Sequence, residues 1–326
     1  MRLTALSAAR ILIPAVLACA CATNAGAQTA TVNAFGKVEA TRAQAFGGAA
    51  TALGLDPTLV WVNPAAAALV ADPSITLAGQ RGYFGEVTGQ GVWTTALGGG
   101  RIVLGALYYD AGQVSLKASD GTWRTMNLQQ DFAASVSYAA ALSKDVASGF
   151  TIKGLRSQLF GDFTAHAIAA DGGVQMRLTD MLKGGFAVQN VGTRLKYSKE
   201  KISLPAALRG GLAMGLRMRS LGSPAEGDSD TVVVVCDAVL PAEENGVSLK
   251  GGAEYSWRGI ISLRAGVSFS TWKELSNYSA GFGLNLRRFR IDYGIRFGSV
   301  FDNPQTLSLT IALSRRDAAP SSAPSQ

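Results

Sequence analysis

The chain has 326 residues, of which 48% are hydrophobic and only 16% are charged, and 38 are glycine. Its formal charge of +7 is scattered along the sequence, without the blocks of Lys and Arg that form nucleic-acid-binding arms. Nucleic acid is therefore excluded as a partner. Beyond the first residues no run of about 18 apolar residues remains, so a transmembrane helix is not expected.

Residues 1–27 are predicted to be an export signal. Arg2 and Arg10 precede an apolar run, and the small residues at 25–27 supply a cleavage site. The alternative is a lipoprotein in which Cys19 becomes the acylated first residue. It is less favoured because residues 25–27 fit ordinary signal cleavage well.

Residues 28–73 are predicted to form a hatch. The stretch 47–69 is rich in Gly and Ala, nearly uncharged and twice interrupted by proline, with neither a helical nor a strand period. After export such a segment either extends into the periplasm or folds into the lumen of a barrel. Its small residues suit close packing against a wall, and we expect the second arrangement. The residues of the hatch motif are Gly47, Gly48, Asn63, Pro64 and Ala65.

From residue 74 to residue 314 the apolar residues alternate with polar ones. In RFRIDYGIRFG, residues 288–298, one face carries Phe, Ile and Tyr while the other carries Arg, Asp and Gly. A period of two indicates a strand whose faces meet different environments. Counting these repeats and the turns between them gives about 14 strands of roughly 9–12 residues, long enough to cross a bilayer at a tilt.

The predicted fold is an all-β, transmembrane antiparallel β-barrel over residues 74–314, with the hatch in its lumen. The strands of a soluble exported β-protein would also alternate apolar and polar residues, but its inner face would need large packed apolar side chains. Here the side chains of the second face are small or charged. Closure removes the strand edges that hydrocarbon does not tolerate. We therefore expect an outer-membrane protein of a Gram-negative-type bacterium, with membrane lipid around it. Residues 315–326 are predicted to be a disordered tail.

Charged residues on the polar faces are expected to line the lumen, pair with one another and hold the hatch. An unpaired ion in a water-poor interior is costly, so pairing is the simplest reason for their presence. These residues are Arg209, Asp237, Lys250, Glu254, Arg264, Arg288, Arg290, Asp292 and Arg296.

The sequence gives no indication of catalysis, of a cofactor or of a metal site. His166 is the only histidine, and no G-x-S-x-G nucleophile motif is present. The Gly clusters lack the Lys-Ser/Thr ending of a phosphate loop. Cys236, the one cysteine left after signal cleavage, shares a strand face with valines and is expected to face lipid.

Several motifs resemble a known family. The stretch AFGGAATALGLDPTLVWVNPAAAALV, with Asn63-Pro64-Ala65, resembles the N-terminal hatch of FadL-like outer-membrane barrels. The ordered series DFAASVSYAAALSKDVASGFTIKGL, AVQNVGTRLKY, LPAALRGGLA and FRIDYGIRF resembles the PorV/PorQ branch. The resemblance covers nearly the whole mature chain and implies a 14-stranded barrel with a hatch. The chain departs from usual outer-membrane barrels because its last strand does not end on a C-terminal aromatic residue.

Two functions follow from the resemblance. PorV implies a non-enzymatic role in handling exported proteins, as a shuttle or accessory of a type IX-like secretion system, with loops 110–128, 192–203 and 218–230 capturing the partner. FadL implies the alternative, uptake of a hydrophobic small molecule through a pocket against the hatch, opened by movement near Asn63. The short chain favours the PorV branch, and a purely structural barrel is a third possibility.

Overall fold

The computed structural model describes residues 33–117, 120–198, 200–219, 229–243, 245–271, 275–297 and 303–313. The expected export signal, with Cys19, the expected tail and most of the connection 218–230 lie outside these ranges. In the described part of the chain no helix has the length and hydrophobicity needed to cross a membrane.

Antiparallel strands dominate the described residues. They are β1 (Ser74–Arg81), β2 (Val87–Leu97), β3 (Gly100–Asp110), β4 (Gln113–Lys117), β5 (Trp123–Asn127), β6 (Gln129–Ala141), β7 (Val146–Leu159), β8 (Phe163–Arg177), β9 (Leu182–Gly192), β10 (Leu195–Tyr197), β11 (Glu200–Ile202), β12 (Ala207–Arg219), β13 (Ser229–Pro241), β14 (Ser248–Trp257), β15 (Ile261–Ser270), β16 (Leu275–Leu286), β17 (Phe289–Phe297) and β18 (Gln305–Ala312).

Fourteen of the described strands close into a barrel, and this confirms the predicted fold class. The order around the wall is β1, β2, β3, β6, β7, β8, β9, β12 to β18, and β1 pairs with β18 from Ser74↔Ala312 to Arg81↔Gln305. Strands β4 and β5 form a separate hairpin, as do β10 and β11. Closure satisfies the backbone groups of both terminal strands, as a membrane span requires.

The two faces of the wall differ as the alternation predicts. On β6, Asp131 and Ser135 are buried inside the barrel, while Phe132 and Val136 are 54% and 51% exposed on the outside. Cys236 on β13 is also exposed, beside the outward-facing Val234. An outer belt of exposed apolar side chains is the surface that lipid covers.

The ends of the barrel are unequal. Strand direction places the long connections 111–128 and 193–206 at one end, the loop-rich end, whereas 98–99, 142–145 and 287–288 are tight turns at the other, the turn end. The connection between β12 and β13 lies at the turn end. The connections 110–128 and 192–203 lie at the loop-rich end, one strand direction away from the connection between β12 and β13. The prediction that 218–230 forms a capture surface together with them is therefore wrong.

The hatch consists of four short helical turns: α1 (Ala34–Lys37), α2 (Thr41–Ala45) and the 3-10 turns η1 (Pro57–Trp61) and η2 (Pro64–Leu69). Three of them begin with a capping side chain. Asn33, Asp56 and Asn63 each accept a hydrogen bond from the backbone N–H two residues further on. Turns of four to six residues are too short to establish a helical period, which explains the irregular sequence pattern.

Glycines in the wall make room for the hatch. A Cβ atom added to Gly266 would lie 2.2 Å from the carbonyl carbon of Phe46, and one added to Gly185 would lie 2.2 Å from the carbonyl oxygen of Thr51. Both distances are far below van der Waals contact with backbone, which cannot rotate away. The hatch therefore packs directly on the strand backbone at these positions.

We expect Gly266→Ala to displace the hatch and lower the free energy of unfolding by about 1–3 kcal/mol, the usual cost of overpacking. Gly210→Ala adds the same methyl group to the wall where nothing lies within 4 Å, and serves as the control. The temperature at which the folded band disappears in semi-native electrophoresis measures both. Equal midpoints for the two variants would contradict the close packing.

Candidate functional site

Residues 33–73 lie inside the barrel. The turn η2 contacts β6, β7 and β8, helix α2 contacts β15 to β18, and η1 contacts β1 and β2, so the segment meets the inner wall on several sides. Most of its side chains are buried. The segment starts near the loop-rich end and leaves at the turn end, where it continues into β1.

Asp237 on β13 holds the middle of the hatch. Its Oδ2 accepts hydrogen bonds from the backbone N–H of Ala50 at 2.8 Å and of Thr51 at 2.9 Å, and from the Thr51 hydroxyl at 2.6 Å. Arg209 on β12 lies 3.3 Å from the same oxygen and also donates to the Gly48 carbonyl at 2.7 Å. One wall carboxylate thus satisfies two N–H groups of a segment that belongs to no regular element.

A chain of buried charges begins at Arg42 of the hatch. The guanidinium of Arg42 donates to Glu254 on β14, with Nη2 2.8 Å from Oε1 and Nε 3.2 Å from Oε2. Glu254 also accepts from Arg264 on β15 at 2.5 Å. The carboxylate therefore binds the hatch and the next strand at the same time.

The same charge chain returns to the hatch through β17. Arg264 contacts Asp292 at 2.7 Å, Asp292 contacts Arg290 at 2.7 Å, and Arg290 contacts Asp56 of the hatch at 3.3 Å. Three cations and three carboxylates alternate, so the charge chain is neutral as a whole. It joins the two ends of the hatch stretch 42–56 through three wall strands.

Two further ion pairs hold the hatch near the loop-rich end. Glu39 accepts from Arg296 on β17 at 2.8 Å, and Lys37 donates to Glu86 in the β1–β2 connection at 2.7 Å. Burial opposes ionisation of Glu39, but Arg296 and then Lys250 outweigh it and hold the pKa of Glu39 below its ordinary 4.5. Burial likewise opposes ionisation of Glu86, but hydrogen bonds, the largest from Lys37, lower the pKa of Glu86.

A cavity of about 150 Å³ lies between the hatch and the wall on the side of the loop-rich end. Phe35, Val38 and Trp61 of the hatch form part of its lining, and Arg209 and Lys250 face it from the wall. Among the described residues Lys250 has no ion pair and no hydrogen-bond partner. The cavity therefore combines apolar side chains of the hatch with cationic side chains of the wall.

The predicted hatch motif is distributed along the segment. Asn63 is fully buried, and besides capping η2 it donates to the carbonyls of Thr51 at 2.8 Å and Val174 at 3.2 Å. Pro64 is the first residue of η2, and Ala65 supplies the N–H that Asn63 caps. Gly47 and Gly48 have φ angles of +70° and +90°, which favour glycine.

Most of the predicted lumen charges face the interior and contact one another or the hatch. Arg209 and Asp237 form one group, Glu254, Arg264, Arg290 and Asp292 form the charge chain, Arg296 binds Glu39, and Lys250 faces the cavity. Arg288 is the exception. It lies exposed in the turn between β16 and β17 and not on the lumen face, because β17 begins one residue later.

Three further buried groups contact the hatch or its surroundings. Asp131 on β6 accepts from the N–H of Ala34 at 2.8 Å. Lys153 on β7 forms a 2.6 Å ion pair with Asp171 on β8 and lies 4.6 Å from the ring centre of Phe35. The alternation signal locates all three on inward faces, but nothing in the sequence specifies their partners.

Known proteins share the fold of this chain, but none of them shows its family. No protein-family model and no curated protein sequence matches the chain. The solved structure of the toluene transporter TbuX of Ralstonia pickettii is similar, with a TM-score of 0.57 at 12% identity over 83% of this chain and 97% of that one. The toluene transporter TodX of P. putida gives 0.57 at 12% over 84% and 98%.

A third similar structure, the CymD monoaromatic hydrocarbon channel, has a TM-score of 0.57 at 11% identity, over 84% of this chain and 97% of that one. At such identities the likeness shows the fold alone. The chain thus has the fold of these channels, a closed antiparallel β-barrel. Nothing in these comparisons supports the narrower PorV/PorQ branch.

We expect Asp237→Asn to weaken the attachment of the hatch and cost about 3–5 kcal/mol, because the substitution leaves Arg209 without its buried partner. Asp145→Asn is the matched control, since Asp145 pairs with Arg177 at an exposed site and its removal should cost less than about 1 kcal/mol. Unfolding midpoints in detergent measure both variants. A loss in the control as large as in Asp237→Asn would contradict a specific role in holding the hatch.

The lowered pKa values of Glu39 and Glu86 predict that acid weakens the attachment of the hatch near the loop-rich end. A carboxyl whose pKa is lower in the folded protein adds stability above its unfolded pKa of about 4.5 and loses it as pH falls. The double variant Glu39→Gln, Glu86→Gln should be less stable than wild type at pH 7, with the difference shrinking below about pH 4. Unfolding midpoints across pH test this, and a constant difference at all pH values would refute it.

Proposed function

We propose that the protein is a non-enzymatic outer-membrane channel for the uptake of hydrophobic small molecules. The observation that carries the proposal is the cavity between the hatch and the wall, whose lining joins Phe35, Val38 and Trp61 to polar side chains that include Glu39, Gln189 and Lys250. Apolar surface together with convergent polar groups is what a small-molecule site uses to bind and orient its ligand.

The position of the cavity fits uptake from outside the cell. Outer-membrane barrels have long extracellular loops and short periplasmic turns, so the loop-rich end is assigned to the cell surface. The connection 193–206 folds inward there, and its residues Leu195, Tyr197 and Leu204 are buried in one cluster with Phe35. A molecule arriving from outside thus meets the cavity before the main body of the hatch.

The polar groups of the cavity indicate what the ligand carries. Lys250 is a half-buried donor that faces the cavity and has no hydrogen-bond partner among the described residues. A cationic donor in this position favours a ligand with an acceptor group, because the ligand can satisfy it. We propose an apolar body of about the size of a single aromatic ring, bearing at least one acceptor oxygen.

The same observations give little support to the protein-handling role that the PorV resemblance implies. One of its three capture loops, 218–230, connects strands at the turn end. The similar solved structures are described as toluene transporters and a monoaromatic hydrocarbon channel.

Uptake by proteoliposomes tests the proposal, with benzyl alcohol and benzoate as the probes, since each is a single aromatic ring that bears an acceptor oxygen. Val38→Trp fills the cavity from the hatch side and should slow uptake several-fold, while Leu55→Trp changes an exposed hatch residue far from the cavity and should not. The proposal fails if the wild-type protein passes neither probe faster than protein-free vesicles, or if both variants behave alike.

A further inference from the structure

The outer face of β6, β7 and β8 carries two basic side chains where apolar ones are expected. Arg156 on β7 and His166 on β8 are directly opposite each other, and both are exposed on the outside of the wall. Their outward neighbours are apolar: Phe132 is paired with Arg156 and is 54% exposed, and Ile168 is 65% exposed. The Cβ atoms of directly opposed residues in antiparallel strands lie about 5 Å apart. Both side chains can therefore contact the same functional group of a ligand.

The depth of this pair matches the head-group region. Arg156 is three residues from the end of β7, and His166 is three residues from the start of β8, both at the loop-rich end. At about 3.3 Å per residue and a tilt of about 40°, this places their Cα atoms roughly 7–8 Å below the rim. The 14 residues of β7 span roughly 35 Å along the normal, of which about 25 Å is the apolar band. The long side chain of Arg156 therefore reaches the outer-leaflet interface.

The rows above and below complete a graded surface. Towards the bilayer centre, Ile152 and Ile168 are exposed and purely apolar. Towards the rim, Gln158 on β7 is opposite Thr164 on β8, and Gln130 on β6 is opposite Gln158. From the centre outward the surface thus changes from hydrocarbon to cation to amide and hydroxyl.

Acidic groups nearby do not neutralise the pair. Asp110 on β3 lies two strands away and accepts from Gln130 and Tyr108, and Asp162 lies in the turn above. Among the described residues Arg156 has no ion pair or hydrogen-bonded partner, and it is exposed. A cation on the lipid face without a protein partner is available to a ligand in the membrane.

We infer that this surface binds a phosphorylated glycolipid of the outer leaflet, of the lipid A type. Its phosphate is held by Arg156 and His166, its sugar hydroxyls lie at the level of Gln158 and Thr164, and its acyl chains lie along Ile152 and Ile168. Guanidinium and imidazole N–H groups donate hydrogen bonds to phosphate, and an apolar surface beneath them fits attached acyl chains and not a free anion. The site is independent of the proposed channel, because it lies on the opposite face of the wall.

Native mass spectrometry of the full-length protein tests the inference. Protein delipidated in detergent is titrated with diphosphorylated lipid A, with the same lipid after enzymatic removal of both phosphates, and with phosphatidylglycerol. The variants are Arg156→Gln, His166→Asn and the double variant. Arg124→Gln removes an exposed charge from the β4–β5 hairpin at the same end of the barrel and is the control.

We expect the wild-type protein and Arg124→Gln to bind the diphosphorylated lipid alike, and Arg156→Gln to bind it on the order of tenfold more weakly. The dephosphorylated lipid should bind as weakly to wild type as the phosphorylated lipid binds to the double variant. Equal binding by wild type and the double variant would overturn the inference. Equal affinity for phosphatidylglycerol would also overturn it, since the site would then recognise any anionic lipid.

Discussion

The structure depends on one constraint, that charges and backbone polar groups enclosed in the lumen must find partners there. In the charge chain from Arg42 to Asp56, three cations pair with three carboxylates. Asp237 accepts hydrogen bonds from two backbone N–H groups of the hatch. In each case one partner belongs to the hatch and another to the wall. Because removing either side would leave buried charge uncompensated, hatch and wall stabilise each other as a single unit.

Close packing extends the same coupling to apolar residues. The hatch backbone at Phe46 and Thr51 lies directly on the wall glycines Gly266 and Gly185, where no side chain separates the two backbones. Asn63, which the sequence suggested as a mobile point, is fully buried and bonded to Thr51, Val174 and Ala65. Free space instead lies nearer the loop-rich end, in the cavity beside Lys250. Rearrangement there disturbs fewer contacts than movement of the hatch as a whole.

The sequence predicted the barrel well because the period of two in strands such as β17 records which face meets lipid. It predicted the inward direction of Asp237, Glu254 and Arg264 for the same reason. It misplaced Arg288, since alternation continues into a turn without any change of pattern. It could not pair Arg42 with Glu254 or find the cavity, because partners 212 residues apart leave no local signal. Successive connections alternate between the two ends of the barrel, so the end at which a loop lies depends on how many wall strands precede it. The sequence pattern does not give that number strand by strand, and this explains the error at 218–230.

Long separations along the chain also bear on how the protein assembles. Glu39 bonds to Arg296, 257 residues away, and Gln44 bonds to Thr306, 262 residues away. Such contacts cost much loop-closure entropy before they form and slow folding. The strands β14 to β18 that hold α2 are the last to be synthesised. The lumen is enclosed only when every strand pair of the wall has formed, β18 with β1 included, so an unclosed barrel exposes both its hatch and its carboxylates to water.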